Sequence, residues 1–280
     1  MEQSMRISSI EPGFAGTLQD VDLRAITENE AEAFKAALDE HGVMVIRGQT
    51  LAPDDIVKFA ARFGPVEYGV REDYQLPENP DVYVISNIVE NGKPLGNPND
   101  GFAWHTDLSF LEYPTAYTFL YALEVPAEGG DTEFASAAAG YDLLSAEEKA
   151  RFDVISVRHS YAMLHATRKG ARPLTDDEKQ RMPDVIHPLV RTHPVTGRKA
   201  LYLGPDTSLP VGMEPEEGHA LIWSLMNHTV QADRVYAHHW LPGDLVVWDN
   251  HTMVHRATEY DRQRYRRLLH RVTVRGERPF

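Results

Sequence analysis

A histidine and an aspartate two residues apart, in residues 104–110 (WHTDLSF), are the first groups in this 280-residue chain that could do chemistry together. Read as a strand, the stretch turns Trp104, Thr106, Leu108 and Phe110 to one face and His105, Asp107 and Ser109 to the other. An imidazole and a carboxylate then point the same way and offer neighbouring coordination positions to one metal ion. A His-x-Asp tripeptide arises by chance about once in a chain with 13 histidines, so it is no site by itself. A half-buried strand with a hydrogen-bonded His–Asp pair accounts for it equally well.

A metal reading needs a third ligand. The best candidate is His255 in WDNHTMVHRA, just beyond the turn that ends the strand DLVVWDN, with His251 a competitor in the same stretch. Two histidines and a carboxylate leave three octahedral positions open, the set associated with non-haem Fe(II) oxygenases. Zinc favours a closed tetrahedral set. A serine hydrolase is disfavoured because no G-x-S-x-G is present, and the chain has no cysteine for thiol chemistry.

The end of the chain supplies a second constellation. Residues 256–278 carry eight arginines against Glu259, Asp261 and Glu277, in a protein of net charge −14. In RRLLHRVTVRG, alternation places Arg267, Leu269, Arg271 and Thr273 on one face and Leu268, His270, Val272 and Val274 on the other. If the second face is core, both guanidiniums project into one space, where burial demands an anionic partner. A planar guanidinium suits a carboxylate, so a dicarboxylate cosubstrate beside the metal would meet the demand. Two exposed arginines in salt bridges are the alternative.

The elements around these residues are mostly strands. Thr27 and Glu30 form a capping box for a helix that stops at Gly42; VMVIRG then reads as a buried strand and PDDIVKFAARFG as a second amphipathic helix. DVYVISNI is a strand, and residues 90–100 (ENGKPLGNPND) are a loop leading into the His-x-Asp motif. TAYTFLYALEV and DTEFAS are strands around the turn PAEGG, residues 137–152 are helical, and HPLVRTHPVTGRKALYLG is a strand–turn–strand unit. A helix over residues 215–231 precedes three more strands, RVYAHHW, DLVVWDN and RRLLHRVTVRG. There is neither βαβ alternation nor a glycine-rich phosphate fingerprint, which argues against a doubly wound sheet. The pattern predicts a single domain, mostly β with helical buttresses: a double-stranded β-helix, the jelly roll of cupin-like proteins. Lid or loop insertions are expected at about 66–101 and 160–186.

The bulk composition sets the boundaries. Net negative charge argues against a nucleic-acid or anionic-membrane binder. The absence of cysteine excludes disulfides and Fe–S clusters and fits the cytoplasm. No apolar run reaches the length of a signal peptide or a membrane span, so a soluble protein is expected.

Taken together, the segments HGVMVIRGQTL, FGPVE, WHTDLSF, VPAEGGDTEFAS, HPLVRTHPVTGRKALYLG, GDLVVWDNHTMVHRA and RRLLHRVTV resemble, in order, the taurine dioxygenase / 2,4-dichlorophenoxyacetate dioxygenase family. These enzymes depend on Fe(II), 2-oxoglutarate and O2. The resemblance implies His105, Asp107 and His255 as iron ligands, which removes His251 from contention. It implies Thr132 and Arg267 as the grip on the distal carboxylate of 2-oxoglutarate, and Arg271 near an acidic group of the substrate. Asp107 fills a position that related halogenases leave open, which implies hydroxylation, with succinate and CO2 as coproducts.

Substrate residues diverge more. The histidine that contacts sulfonate in the taurine branch falls on Gly69, and a nearby tyrosine position falls near Glu72. HPLVRTHPVTGRKALYLG is closer to the aryloxyacetate branch, where His193 matches a histidine, while later histidines of that branch are replaced near Asp206 and Leu209. Arg71 offers a replacement cation from the neighbouring loop. A small carboxylate-bearing substrate is therefore expected, with C–O cleavage of an aryloxyacetate-like compound as one outcome. A sulfonate or sulfate-ester dioxygenase, a biosynthetic tailoring hydroxylase or desaturase, and a non-catalytic cupin-like binder are the alternatives. The other expected partner is a further copy of the chain, as a dimer or tetramer.

Overall fold

The computed structural model describes residues 5–10, 13–67, 72–99, 101–167 and 173–280. Among these, nine strands form one large sheet. Its path runs through Arg6–Ile10, Ala15–Gln19, Val43–Ile46, Leu245–Asp249, Thr115–Glu124, Leu268–Arg275, Asn79–Ser86 and Gln75–Leu76, with Val66–Glu67 also on Leu268–Arg275. Every pairing is antiparallel except that of Ala15–Gln19 with Val43–Ile46. A second sheet of three strands, Val235–His238, Thr132–Ser136 and Met253–Ala257, faces it. This is the jelly-roll architecture expected from the strand-rich pattern.

Two helices cover the outer face of the large sheet. Glu28–His41 starts where the Thr27 hydroxyl takes the Glu30 N–H and Glu30 returns a bond to the Thr27 N–H, and it ends at Gly42 in the left-handed conformation (φ 78°). Pro53–Ala60 follows the buried Val43–Ile46 strand. Their apolar stripes meet the sheet in an edge-to-face cluster of Phe34, Phe59, Phe63 and Phe119, with centroids 5.2–5.7 Å apart. Such pairs add about 0.5–1.5 kcal/mol each beyond their area, so Phe119→Ala would loosen both helices from the sheet. The inner face carries another core, including Leu120, Phe134, Val246, Trp248 and Leu269, between the two sheets.

Several local expectations change. Residues 90–100 are not all loop, since Val89–Glu90 and Lys93–Pro94 pair as a short hairpin. The helical stretch 137–152 breaks into Ala137–Asp142 and Ala146–Phe152, because Ser145 starts a new capping box with Glu148. The 160–186 region holds the short helices Tyr161–Ala166 and Asp176–Arg181. Strand Met253–Ala257, which carries His255, follows the turn at the end of DLVVWDN and is not marked by apolar alternation of its own.

Candidate metal centre

The His-x-Asp segment is not a strand. His105 makes a single antiparallel bridge with His255, through reciprocal N–H···O bonds of 3.0 and 2.9 Å, and the chain then turns at residues 107–110. Leu108 sits in the left-handed region at φ 49°, which ends strand geometry directly after Asp107. The juxtaposition inferred from strand alternation is reached another way. The backbone bridge sets the two imidazoles side by side, 4.2 Å between centroids, and the turn brings the carboxylate between them. Asp107 Oδ1 lies 3.7 Å from His105 Nε2, and Oδ2 lies 3.7 Å from His255 Nε2. One ligand atom from each of the three falls within 4.8 Å of the others.

The protonation chemistry of this cluster fits a cation. The Nδ1–H of His105 donates to the Ala103 carbonyl at 2.8 Å, which makes Nε2 the lone-pair atom. His255 is buried against Phe134 and Trp248; burial, then the neighbouring His105, pushes its imidazole down to about 3 and keeps it neutral. Burial raises the Asp107 carboxyl, but the two imidazoles and the Arg271 guanidinium outweigh it and hold the group well below the usual carboxylate range. Two imidazoles and one carboxylate, with one side open, are the donor set of a non-haem Fe(II) site.

The open side is a cleft lined by the two histidines, Thr132, Trp248, Arg267 and Arg271, with Ile85, Leu120, Gly101 and Ala257. Thr132 accepts a hydrogen bond from Trp240 Nε1 at 3.0 Å, so its hydroxyl proton is left to donate. Arg267 is 5% exposed, and its backbone is held on both sides, with its N–H on Asn87 Oδ1 and its carbonyl on Ser86 Oγ. Arg271 stacks over the Tyr83 ring at 4.4 Å with Nη1 3.7 Å from Asp107 Oδ1. Leu269, between the arginines, joins the inner core, while Val272 and Val274 join the outer one. The alternation read in RRLLHRVTVRG is the alternation of the strand.

His193 is not part of this cleft. It lies fully buried in a second cluster with Asp249 and His251, its ring 4.8 Å from that of His251. His193 Nδ1 accepts the backbone N–H groups of Val195 and Thr196, each at 3.1 Å, which directs its Nε2–H towards Asp249 Oδ2 at 3.2 Å. His251 bonds Asp249 through Nδ1 and Glu277 through Nε2, the latter at 3.1 Å. Arg191, 1% exposed, also donates to Glu277. Asp39, 3.8 Å from His193, accepts from Tyr117 and Lys35. Arg71 and Gly69 lie outside the described residues.

Sequence reasoning missed Thr118, Asn250 and Trp248. Thr118 is hidden in the apolar run TAYTFLYALE, yet its hydroxyl donates to Asp107 Oδ2 at 2.7 Å. Asn250 and Trp248 stand in WDNH, whose polar residues after an apolar strand are the available signal.

Residues 6–273 match the model of the taurine catabolism dioxygenase TauD, TfdA family. The chain is 35% identical over 283 residues to an alpha-ketoglutarate-dependent 2,4-dichlorophenoxyacetate dioxygenase of Cupriavidus pinatubonensis, covering 97% of this chain and 98% of that one. It is 33% identical over 249 residues to pentalenolactone F synthase of Streptomyces arenae, covering 82% and 81%. Among solved structures, AAD-2 in complex with Mn(II) and N-oxalylglycine superposes with a TM-score of 0.84 at 33% identity, covering 99% of both chains.

Proposed function

The chain belongs to the taurine catabolism dioxygenase TauD, TfdA family, and from that premise we propose that it oxidises a small carboxylate-bearing organic substrate at the cleft beside His105, Asp107 and His255. Enzymes of this class use Fe(II), 2-oxoglutarate and O2. The three side chains would hold the metal, which when bound supplies the oxidising chemistry.

The chain's own residues do the rest. Thr132, with its proton directed away from Trp240, and Arg267 would bind the distal carboxylate of 2-oxoglutarate, the arginine through a bidentate pair. Ile85, Leu120 and Trp248 exclude water and hold the reacting C–H bond in place. The observation that carries the substrate class is a second guanidinium, that of Arg271, on the same strand face and in the same cleft as Arg267. One cation suffices for the cosubstrate's distal carboxylate; the other suits an anion on the substrate. Similarity to the Cupriavidus enzyme favours aryloxyacetate-like carboxylates, and similarity to pentalenolactone F synthase favours a biosynthetic substrate. A cytoplasmic homo-oligomer is the proposed setting. The cysteine-free acidic composition supports the compartment, and exposed Val154, Ile186 and Val211 beside the Ser156–His159 strand support self-association. The segments 66–101 and 160–186 are the proposed closing loops.

The test is substrate-dependent succinate release across aryloxyacetates, acylated amino acids, sulfonates and alkyl sulfates. Carboxylates should give the highest kcat/KM, and Arg271→Gln should raise the substrate KM about tenfold while leaving the 2-oxoglutarate KM unchanged. Turnover of sulfonates or sulfate esters alone would overturn the substrate class.

A further inference from the structure

Asp107 is held by a chain of hydrogen bonds whose direction is fixed, and we propose that this relay, Trp248–Asn250–Thr118, is a positioning device that keeps Asp107 a one-oxygen metal ligand through Oδ1. The proposal rests on the reading of His105, Asp107 and His255 as the metal site.

The direction follows from counting protons. Asn250 Oδ1 receives two N–H donors, the indole of Trp248 and the backbone amide of Asp107, each at 3.2 Å. A flipped amide would set its NH2 against both, so the orientation is determined. Asn250 Nδ2 therefore faces Thr118 and donates to Oγ1 at 2.9 Å. Thr118, with a lone pair so occupied, sends its own proton to Asp107 Oδ2 at 2.7 Å. Thr118 is 0% and Asn250 1% exposed, so solvent does not compete with either bond.

The carboxylate is made asymmetric as a result. Oδ2 accepts the Thr118 hydroxyl at 2.7 Å, whereas Oδ1 stands 3.7 Å from both His105 Nε2 and Arg271 Nη1, which leaves it the better placed of the two oxygens towards a shared cation. Oδ2 lies 3.7 Å from His255 Nε2, near enough to swing onto the same ion if its hydrogen bond were lost. A two-oxygen carboxylate would fill one of the three coordination positions that a chelating 2-oxo acid and oxygen need. The relay thus protects the open side of the site, and it reaches Asp107 from the central strand Thr115–Glu124, which is paired on both sides.

The test uses metal binding rather than turnover. Mn(II) is titrated into the metal-free full-length protein, followed by the electron paramagnetic resonance of free Mn(II), and the visible spectrum of the Co(II)-loaded protein is recorded. Thr118→Val keeps the shape of the side chain and removes the proton; it should weaken Mn(II) binding about tenfold and alter the Co(II) spectrum. Thr118→Ser should restore both. Binding and spectrum unchanged in Thr118→Val would overturn the relay, as would a Thr118→Ser protein as impaired as Thr118→Val. If Thr118→Val does not fold, Asn250→Ala leaves Thr118 in place without its fixed donor, and an unaltered affinity and spectrum there overturn the proposal equally. Failure of the parent protein to bind Mn(II) or Co(II) at all would instead sink the underlying metal-site reading.

Discussion

Among the described residues the molecule contains two clusters of two histidines and an aspartate, His105–Asp107–His255 and His193–Asp249–His251, and they do opposite things with the same side chains. In the first, Nδ1 of His105 is tied to a carbonyl, and Nε2 of both histidines turns towards one carboxylate beside an open cleft. In the second, His251 is bonded to carboxylates through both ring nitrogens, while His193 Nδ1 is taken by two backbone N–H groups and its Nε2 lies 3.2 Å from Asp249. His251 bridges Asp249 and Glu277, Arg191 donates to Glu277, and Lys35 donates to Asp39. Ligand types alone do not make a metal site; convergence of ring nitrogens and a carboxylate beside an opening does. The clusters are joined by WDNH. Asp249 belongs to one and its neighbour Asn250 supports the other, because successive residues at a strand end face opposite ways.

The largest effect that would sharpen this contrast is on stability. Asp249→Asn removes the carboxylate between His193 and His251 and leaves buried donors without a partner, at a cost of about 3 kcal/mol, or a Tm lower by roughly 10 °C. The same protein should bind Mn(II) like the parent below its new Tm. A thermal melt with and without Mn(II) reads both, and loss of metal binding in a folded Asp249→Asn protein would break the division.

A smaller effect lies in the pH profile. Burial raises Glu277, but its bond from His251 more than reverses this and holds it down to about 2. Its contribution is therefore complete above its ordinary 4.5 and fades as pH falls towards 2. Burial lowers His251, but Asp249 and Glu277 more than reverse this and raise it. Its contribution is complete below 6.5 and is lost as pH rises through the raised value. The stabilisation of the parent over His251→Gln, read from thermal melts, should thus shrink as pH rises above 6.5. A difference between the two proteins that grows with pH would contradict the raised His251.

Much of the metal centre was legible in sequence, although one step of the reasoning was wrong. His105 and Asp107 do converge with His255, yet through a backbone bridge and a turn rather than a strand. A leucine at φ 49° is unreadable in sequence, because tertiary contacts impose it where no glycine marks the spot. Arg271 was readable because it lies within the long strand Leu268–Arg275, and Arg267 because it directly precedes that strand. Thr118 was not, since a threonine in an apolar β run is what strand propensity alone would supply. His193 misled for a related reason. Its likeness to a histidine of the aryloxyacetate branch says nothing about which way the ring points, and here its Nδ1 is taken by its own turn.

The most direct measurement is an anaerobic titration of Fe(II) in the presence of 2-oxoglutarate, following the weak visible charge-transfer band, on the parent, His255→Ala and His251→Ala. The expected result is one iron per chain with the band in the parent, the band retained in His251→Ala while it is folded, and no band in His255→Ala. A band that survives His255→Ala, or one that disappears with His251→Ala, would contradict the assignment of the iron centre.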